Sequence, residues 1–168
     1  REYDIRGRVS SDELNEQSVS VIATAYGTFL KRRDIGKVVI GHDNRDSSPK
    51  FTEVAAEAFR RQGITVYDIG LSVTPMVYYA QYYFRCLGAM MITASHNPSQ
   101  WNGMKMAVGY SRTMTPKQIR ELKYLINNPQ KIKERNGKII KVNLRDQYLN
   151  QISGRFSSID QHKLRVVI

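Results

Sequence analysis

Cys86 is the only cysteine in the chain, so no internal disulfide is possible and nothing points to an oxidising compartment. No apolar run approaches the roughly 20 residues of a membrane-spanning helix, and no leader of the secretory type opens the sequence. Acidic residues are scarce beside basic ones, 15 against 26, which leaves a net charge of +11. Such a balance suggests anionic company. Yet helix-turn-helix, RNP-type and zinc-binding patterns are all missing, so nucleic acid is not the expected partner. Much of the excess falls in residues 117–141, interleaved with Leu, Ile and Tyr at helical spacing, which is the pattern of a solvated face. There is no low-complexity linker and no sequence repeat. What is present, 41% apolar and 24% charged residues in a length of 168, suits one good-sized soluble domain.

Strand and helix patterns alternate along that length. An extended or turn-like opening at Tyr3-Asp4-Ile5-Arg6-Gly7, with Gly7 as the point of reversal, precedes a helix capped by Asn15 and running to about Arg33. Lys37-Val38-Val39-Ile40-Gly41 reads as a central strand, Ser48-Pro49 opens a helix that Gly63 ends, and residues 65–69 alternate as a half-buried strand does. Thr74-Pro75 begins a third helix, to about Phe84, and residues 89–93 form the next strand. A short strand over 104–108, a helix from Thr115-Pro116 to the break at Asn127-Asn128-Pro129, a strand over 138–142 and an amphipathic helix over 144–156 complete the pattern. The alternation predicts an α/β fold, a three-layer αβα sandwich around a mixed, mostly parallel sheet. The start at Arg1 and the strand-like ending over 162–168 predict a piece of a longer protein.

The candidate chemistry concentrates in Thr93-Ala94-Ser95-His96-Asn97-Pro98. It follows the apolar run Gly88-Ala89-Met90-Met91-Ile92, and proline at once forbids helix, so a serine and a histidine stand on an extended loop at a strand's end. Asn102-Gly103-Met104-Lys105 returns a turn and a cation to that neighbourhood. Asp43 and Arg45, on the loop after the second strand, either face the same cleft or pair to order their own turn. Arg6 either neutralises an anion there or anchors the N-terminal segment through a carboxylate. A serine hydrolase would call for Gly-x-Ser-x-Gly, which does not occur. A phospho-acceptor or phosphate-binding regulatory module, using Asp43 after its strand, remains the alternative of a different class.

Together, Tyr3-Asp4-Ile5-Arg6-Gly7, Gly41-His42-Asp43-Asn44-Arg45, Thr93-Ala94-Ser95-His96-Asn97-Pro98 and the lysine ten residues beyond Ser95 resemble the first domain of the α-D-phosphohexomutases, the phosphoglucomutase/phosphomannomutase family. The resemblance covers residues 1–156 and leaves 157–168 as a linker and the truncated start of a second α/β domain. It implies a cytoplasmic enzyme that interconverts hexose 1-phosphate and hexose 6-phosphate through phospho-Ser95 and a bisphosphorylated sugar. Ser95, His96, Lys105 and Arg6 are the implied catalytic residues, and Tyr3, Arg6 and Lys105 the implied substrate contacts. Lys105 is the implied proton-transfer group. The family's Mg2+ would meet this chain only through the phosphate on Ser95, because no Asp-Gly-Asp-Gly-Asp loop occurs here. Partners would be the hexose phosphate and later domains of the same polypeptide, without which the fragment should be inactive. Glucose, mannose and glucosamine phosphates stay open, with the motif wording leaning towards the first two. Where the family often has Gly-Arg-Asp-x-Arg, this chain has His42 in the second position, so no role is assigned to it.

Overall fold

The computed structural model describes residues 3–131 and 135–156. In chain order the elements are β1 (Asp4–Arg8), α1 (Glu16–Lys31), β2 (Lys37–His42), α2 (Ser48–Arg60), β3 (Thr65–Leu71), α3 (Thr74–Tyr83), β4 (Gly88–Ile92), β5 (Trp101–Val108), α4 (Pro116–Asn127), β6 (Ile139–Lys141) and α5 (Arg145–Ser153). The six strands form one sheet in the order β1-β5-β4-β2-β3-β6. β4, β2, β3 and β6 run parallel, while β5 is antiparallel to both β4 and β1. The sheet is therefore mixed, with three of its five pairings parallel.

Helices cover both faces because the central strands are apolar on both. Val38, Ile40, Met90, Ile92, Met104 and Met106 pack with α1, α2 and α4 on one side. Val39, Ala89, Met91 and Ala107 pack with α3 on the other. Side chains alternate across a strand, so an uninterrupted apolar run such as Val38-Val39-Ile40 feeds both cores in turn. Cys86 is wholly buried, and that burial pushes its thiol up to about 12, out of the reactive range.

Helix starts divide by mechanism. Asn15 and Thr115 each make a reciprocal capping box, with Ser18 and Gln118 respectively. Pro49, Pro75 and Pro116 all stand in a first helical turn, and the helices opened by Ser48-Pro49 and Thr74-Pro75 have no side-chain cap bond.

The opening stretch, expected to be extended or turn-like, is the extended edge strand β1, paired residue by residue with β5 from Asp4 opposite Lys105 to Arg8 opposite Trp101. Three other local expectations change. Gly7 sits inside that strand, whereas the left-handed glycines are Gly63, Gly70 and Gly109. β5 begins at Trp101, three residues earlier than expected, so Gly103 is a strand residue rather than part of a turn. Its lack of a side chain is required there, since a Cβ would run into the Ile5 carbonyl oxygen of β1. The last helix is shorter than expected and buries none of its own residues. The predicted linker and second-domain start at 157–168, and the strand-like ending within it, lie outside the described residues.

Candidate active site

β4 ends at Ile92, and the chain then leaves the sheet in two steps. Thr93 still extends the ladder, its N–H donating to the Gly103 carbonyl at 2.9 Å. Asp43, just beyond β2, donates its N–H to the Ile92 carbonyl at 3.0 Å and joins the two loops at their roots. Ser95 then takes a left-handed conformation, with φ of 57°. A non-glycine residue there costs on the order of 1–3 kcal/mol and persists only where its surroundings hold it. One such constraint is the Ser95 N–H, which donates to the Thr93 hydroxyl oxygen at 2.9 Å. Ser95 and His96 are both exposed, in a turn rather than the extended loop expected from the sequence. Ser95 is thus presented outward, and His96 lies beside it.

Two arginines brace this loop. Arg6, on β1, places Nε and Nη2 on one oxygen of Asp4 at 3.0 and 2.7 Å. Its Nη1 donates to the Ala94 carbonyl and to Asn97 Oδ1, both at 2.8 Å. Arg6 therefore pairs with a carboxylate, one of the two alternatives read from the sequence, and also bonds the residue before Ser95. Arg45 grips the other side. Its Nη1 donates to the carbonyls of Pro98 and Trp101 at 2.7 and 2.9 Å, and its Nη2 to those of Ser95 and Asn97 at 3.0 and 2.7 Å. Its Nε meets Asp43 Oδ2 at 3.0 Å. The rigid guanidinium fork makes this simultaneous reach possible. From the sequence, Arg45 either faces the cleft or orders its own turn, and it is not among the implied catalytic residues. No local pattern could reveal that its partners lie 50 to 56 positions away.

Asp43 is bound on both oxygens. Ser48 Oγ donates to Oδ1 at 2.6 Å, the Arg45 N–H to the same oxygen at 3.2 Å, and the Arg45 side chain holds Oδ2. Partial burial works to raise this carboxyl. Bonds from the Ser48 and Thr93 hydroxyls and the Arg45 backbone, together with the Arg45 charge, outweigh it and hold Asp43 below its ordinary value. A carboxylate so engaged is a poor phospho-acceptor, which weighs against the regulatory-module alternative. Beneath it, the fully buried Asn102 donates Nδ2 to Ser47 and Ser48 hydroxyls at 2.8 and 2.9 Å. His42 sets Nδ1 against the Asp43 carbonyl at 2.7 Å.

Lys105 belongs to β5, opposite Met91 on β4 and Asp4 on β1. It is half-buried, and its side chain makes no hydrogen bond or ion pair among the described residues. Asp4 Oδ1, by contrast, is buried with no hydrogen-bond partner among the described residues, although Arg6 satisfies Oδ2. β-Strand alternation puts Asp4, Arg6, Gly103 and Lys105 on one face of the sheet, at the end from which the Ser95 loop departs. Tyr3, just before β1, is 55% exposed. Among the described residues, no three His, Cys, Asp or Glu side chains stand together as a cation would require. The carboxylates nearest Ser95 in the network, Asp4 and Asp43, are both taken by arginines. These residues alone do not fit a complete Mg2+ site.

Residues 1–133 match the family model described as phosphoglucomutase/phosphomannomutase, alpha/beta/alpha domain I. The chain belongs to this family. The matched span contains the Ser95 loop, both bracing arginines and Lys105, so the site and the family assignment concern the same residues. The chain is 33% identical to a phosphomannomutase of Escherichia coli strain K12 over 99% of its own length and 36% of that protein's. It is likewise 33% identical to a phosphomannomutase/phosphoglucomutase of Pseudomonas syringae pv. tomato, over all of this chain and 35% of that one. In solved structures, a phosphoglucomutase/phosphomannomutase family protein from Burkholderia thailandensis superposes with a TM-score of 0.82 at 28% identity. That superposition covers 90% of this chain and 34% of the other. The chain thus spans little more than a third of these relatives' length.

Proposed function

We propose that this chain is the phosphoserine-bearing first domain of a phosphohexomutase, which interconverts hexose 1-phosphate and hexose 6-phosphate of glucose, mannose or both. The observation that carries the reading is the presentation of Ser95: exposed, left-handed, and on a loop braced by Arg6 and Arg45. In the proposed cycle, a sugar hydroxyl attacks the phosphorus of phospho-Ser95, and the bond from phosphorus to Ser95 Oγ breaks. The hydroxyl proton passes by way of Lys105 to Ser95 Oγ. The sugar bisphosphate then turns over and returns its other phosphoryl group to Ser95 by the reverse exchange.

Phosphoryl transfer depends on positioning and charge stabilisation more than on covalent intermediates with the protein. Lys105 is an uncommitted cation for the spreading negative charge, and Arg6 adds a guanidinium already held in place. His96, beside Ser95 on the loop, contributes to the phosphate's surroundings, and Tyr3 to the rim of the substrate site. Mg2+ belongs to the proposal only as a group of the longer protein. This chain would contribute the Ser95 phosphate to it, and the other ligands would come from outside the described residues. The hexose phosphate and the later domains of the same polypeptide are the proposed partners, and the cytoplasm is the proposed compartment.

Intact-mass measurement and peptide mapping of the full-length protein purified from cells test the reading. Phosphate is expected on Ser95, and Ser95→Ala should abolish turnover of glucose 1-phosphate and mannose 1-phosphate. Phosphate confined to another residue, with a fully active Ser95→Ala variant, would overturn it.

A further inference from the structure

Beyond the groups that meet substrate, we propose that Arg45, held by Asp43, Ser48 and Asn102, is a positioning residue that fixes the geometry of Ser95 for phosphoryl transfer. This rests on the phosphohexomutase reading above. Four of the carbonyls in residues 95–101 converge on one guanidinium, and one of them is the carbonyl of Ser95 itself. A loop this polar would otherwise turn those carbonyls to water and sample many conformations. Arg45 replaces that freedom with one arrangement.

The device also reaches Ser95 from its N-terminal side. Asn102 holds the Ser48 hydroxyl, which donates to Asp43. Asp43 accepts from the Thr93 hydroxyl, and Thr93 accepts from the Ser95 N–H. The N–H and the C=O of Ser95 are thus both bound to groups that converge on Asp43, directly through Thr93 on one side and through Arg45 on the other. Each chain is short, and its inner members are buried: Ser48 and Asn102 are both fully inaccessible. A left-handed serine needs this double restraint, because release of either end lets it relax to an ordinary conformation. The consequence is catalytic rather than merely structural. An error of about 1 Å in the position of a reacting group costs on the order of a hundredfold in rate.

The test uses the full-length protein and compares wild type with Arg45→Lys and Ser48→Ala. Lysine keeps the charge but cannot reach several carbonyls in a planar fork. Ser48→Ala removes one donor to Asp43 and leaves Asn102 still bonded to Ser47. For Arg45→Lys we expect kcat to fall by roughly a hundredfold, with KM within about threefold and only a small change in Tm. For Ser48→Ala we expect a smaller kcat loss, about tenfold. In hydrogen exchange, amides of residues 95–101 should exchange faster in both variants while those of β4 and β5 stay protected. Wild-type kcat with unchanged loop exchange in the two variants would overturn the proposal, as would a kcat loss that merely follows a loss of folded protein. Failure of the underlying reading would look different: a wild-type protein without mutase turnover, or an active Ser95→Ala. In that event loop exchange still decides whether Arg45 fixes Ser95.

Discussion

Around Ser95, the cations differ in how free they are. Arg6 and Arg45 each have a carboxylate and loop carbonyls as partners, so their charge comes already fixed in place. The Lys105 side chain has no such partner among the described residues. If it also relays the proton of the attacking hydroxyl, its removal damages the chemical step itself. General acid-base groups contribute about a hundredfold to ten-thousandfold. Lys105→Met in the full-length enzyme should therefore lose kcat by about that range, with a smaller change in KM. Steady-state kinetics on a variant shown to be folded by circular dichroism checks this, and an unaltered kcat would make Lys105 an ordinary surface lysine. Spacing alone placed the lysine ten residues after Ser95. Its lack of a side-chain partner among the described residues was not legible, because that depends on which side chains three different strands bring near it.

At the level of elements, the loop is carried by β4 and β5, and α1 locks that pair. The Tyr26 hydroxyl of α1 lies within 2.7 Å of the Ala107 carbonyl and 3.1 Å of the Ala89 carbonyl, and it accepts from the Ala89 N–H at 3.3 Å. Ala89 and Ala107 are opposite one another in the β4–β5 ladder, so one buried hydroxyl bonds both strands. Burial keeps this phenol protonated by raising its pKa far above the ordinary value, against the lowering effect of its bonds to Ala89 and Ala107. Tyr26→Phe keeps the ring that packs on Phe29 and Phe59 and deletes only the hydroxyl. The expected loss is about 1–2 kcal/mol, because buried backbone groups are left without their partner. Urea or thermal denaturation of the variant measures it. The helix itself was legible from its Asn15 cap and apolar stripe, whereas the hydroxyl's place between two strands was not.

For the molecule as a whole, the described residues make two apolar cores around one sheet, enough for cooperative folding. Its Ser95 loop nevertheless opens outward, and no cation site is complete among those residues. With the chain spanning 34% to 36% of its relatives in these comparisons, the rest of a substrate enclosure is expected from further parts of the polypeptide. The 168-residue chain alone should therefore unfold in a single cooperative transition yet show no hexose phosphate turnover. A coupled assay on the purified chain, beside a melting curve, checks both halves of that expectation. Turnover by the chain alone would mean that it holds a complete active site.

The sequence by itself determined what is encoded within a few neighbouring residues. Unbroken apolar runs marked β2 and β4, the 3.6-residue stripe marked α1 and α4, and proline after Asn97 marked Ser95 as a loop residue. The motif order was enough to identify the family. Tertiary structure alone decided what depends on partners far along the chain. Asp4-Ile5-Arg6-Gly7-Arg8 is too short and polar to declare a strand, and becomes one because β5 offers a free edge beside it. Gly103 resembles a turn glycine locally, but it is there so that β1 can approach. Asp43 and Arg45 do form the ion pair that the sequence allowed, and the same guanidinium also binds the Ser95 loop. The physical reason is one of range: backbone preference acts between adjacent residues, whereas a strand edge or a guanidinium finds its partner only after the chain has folded.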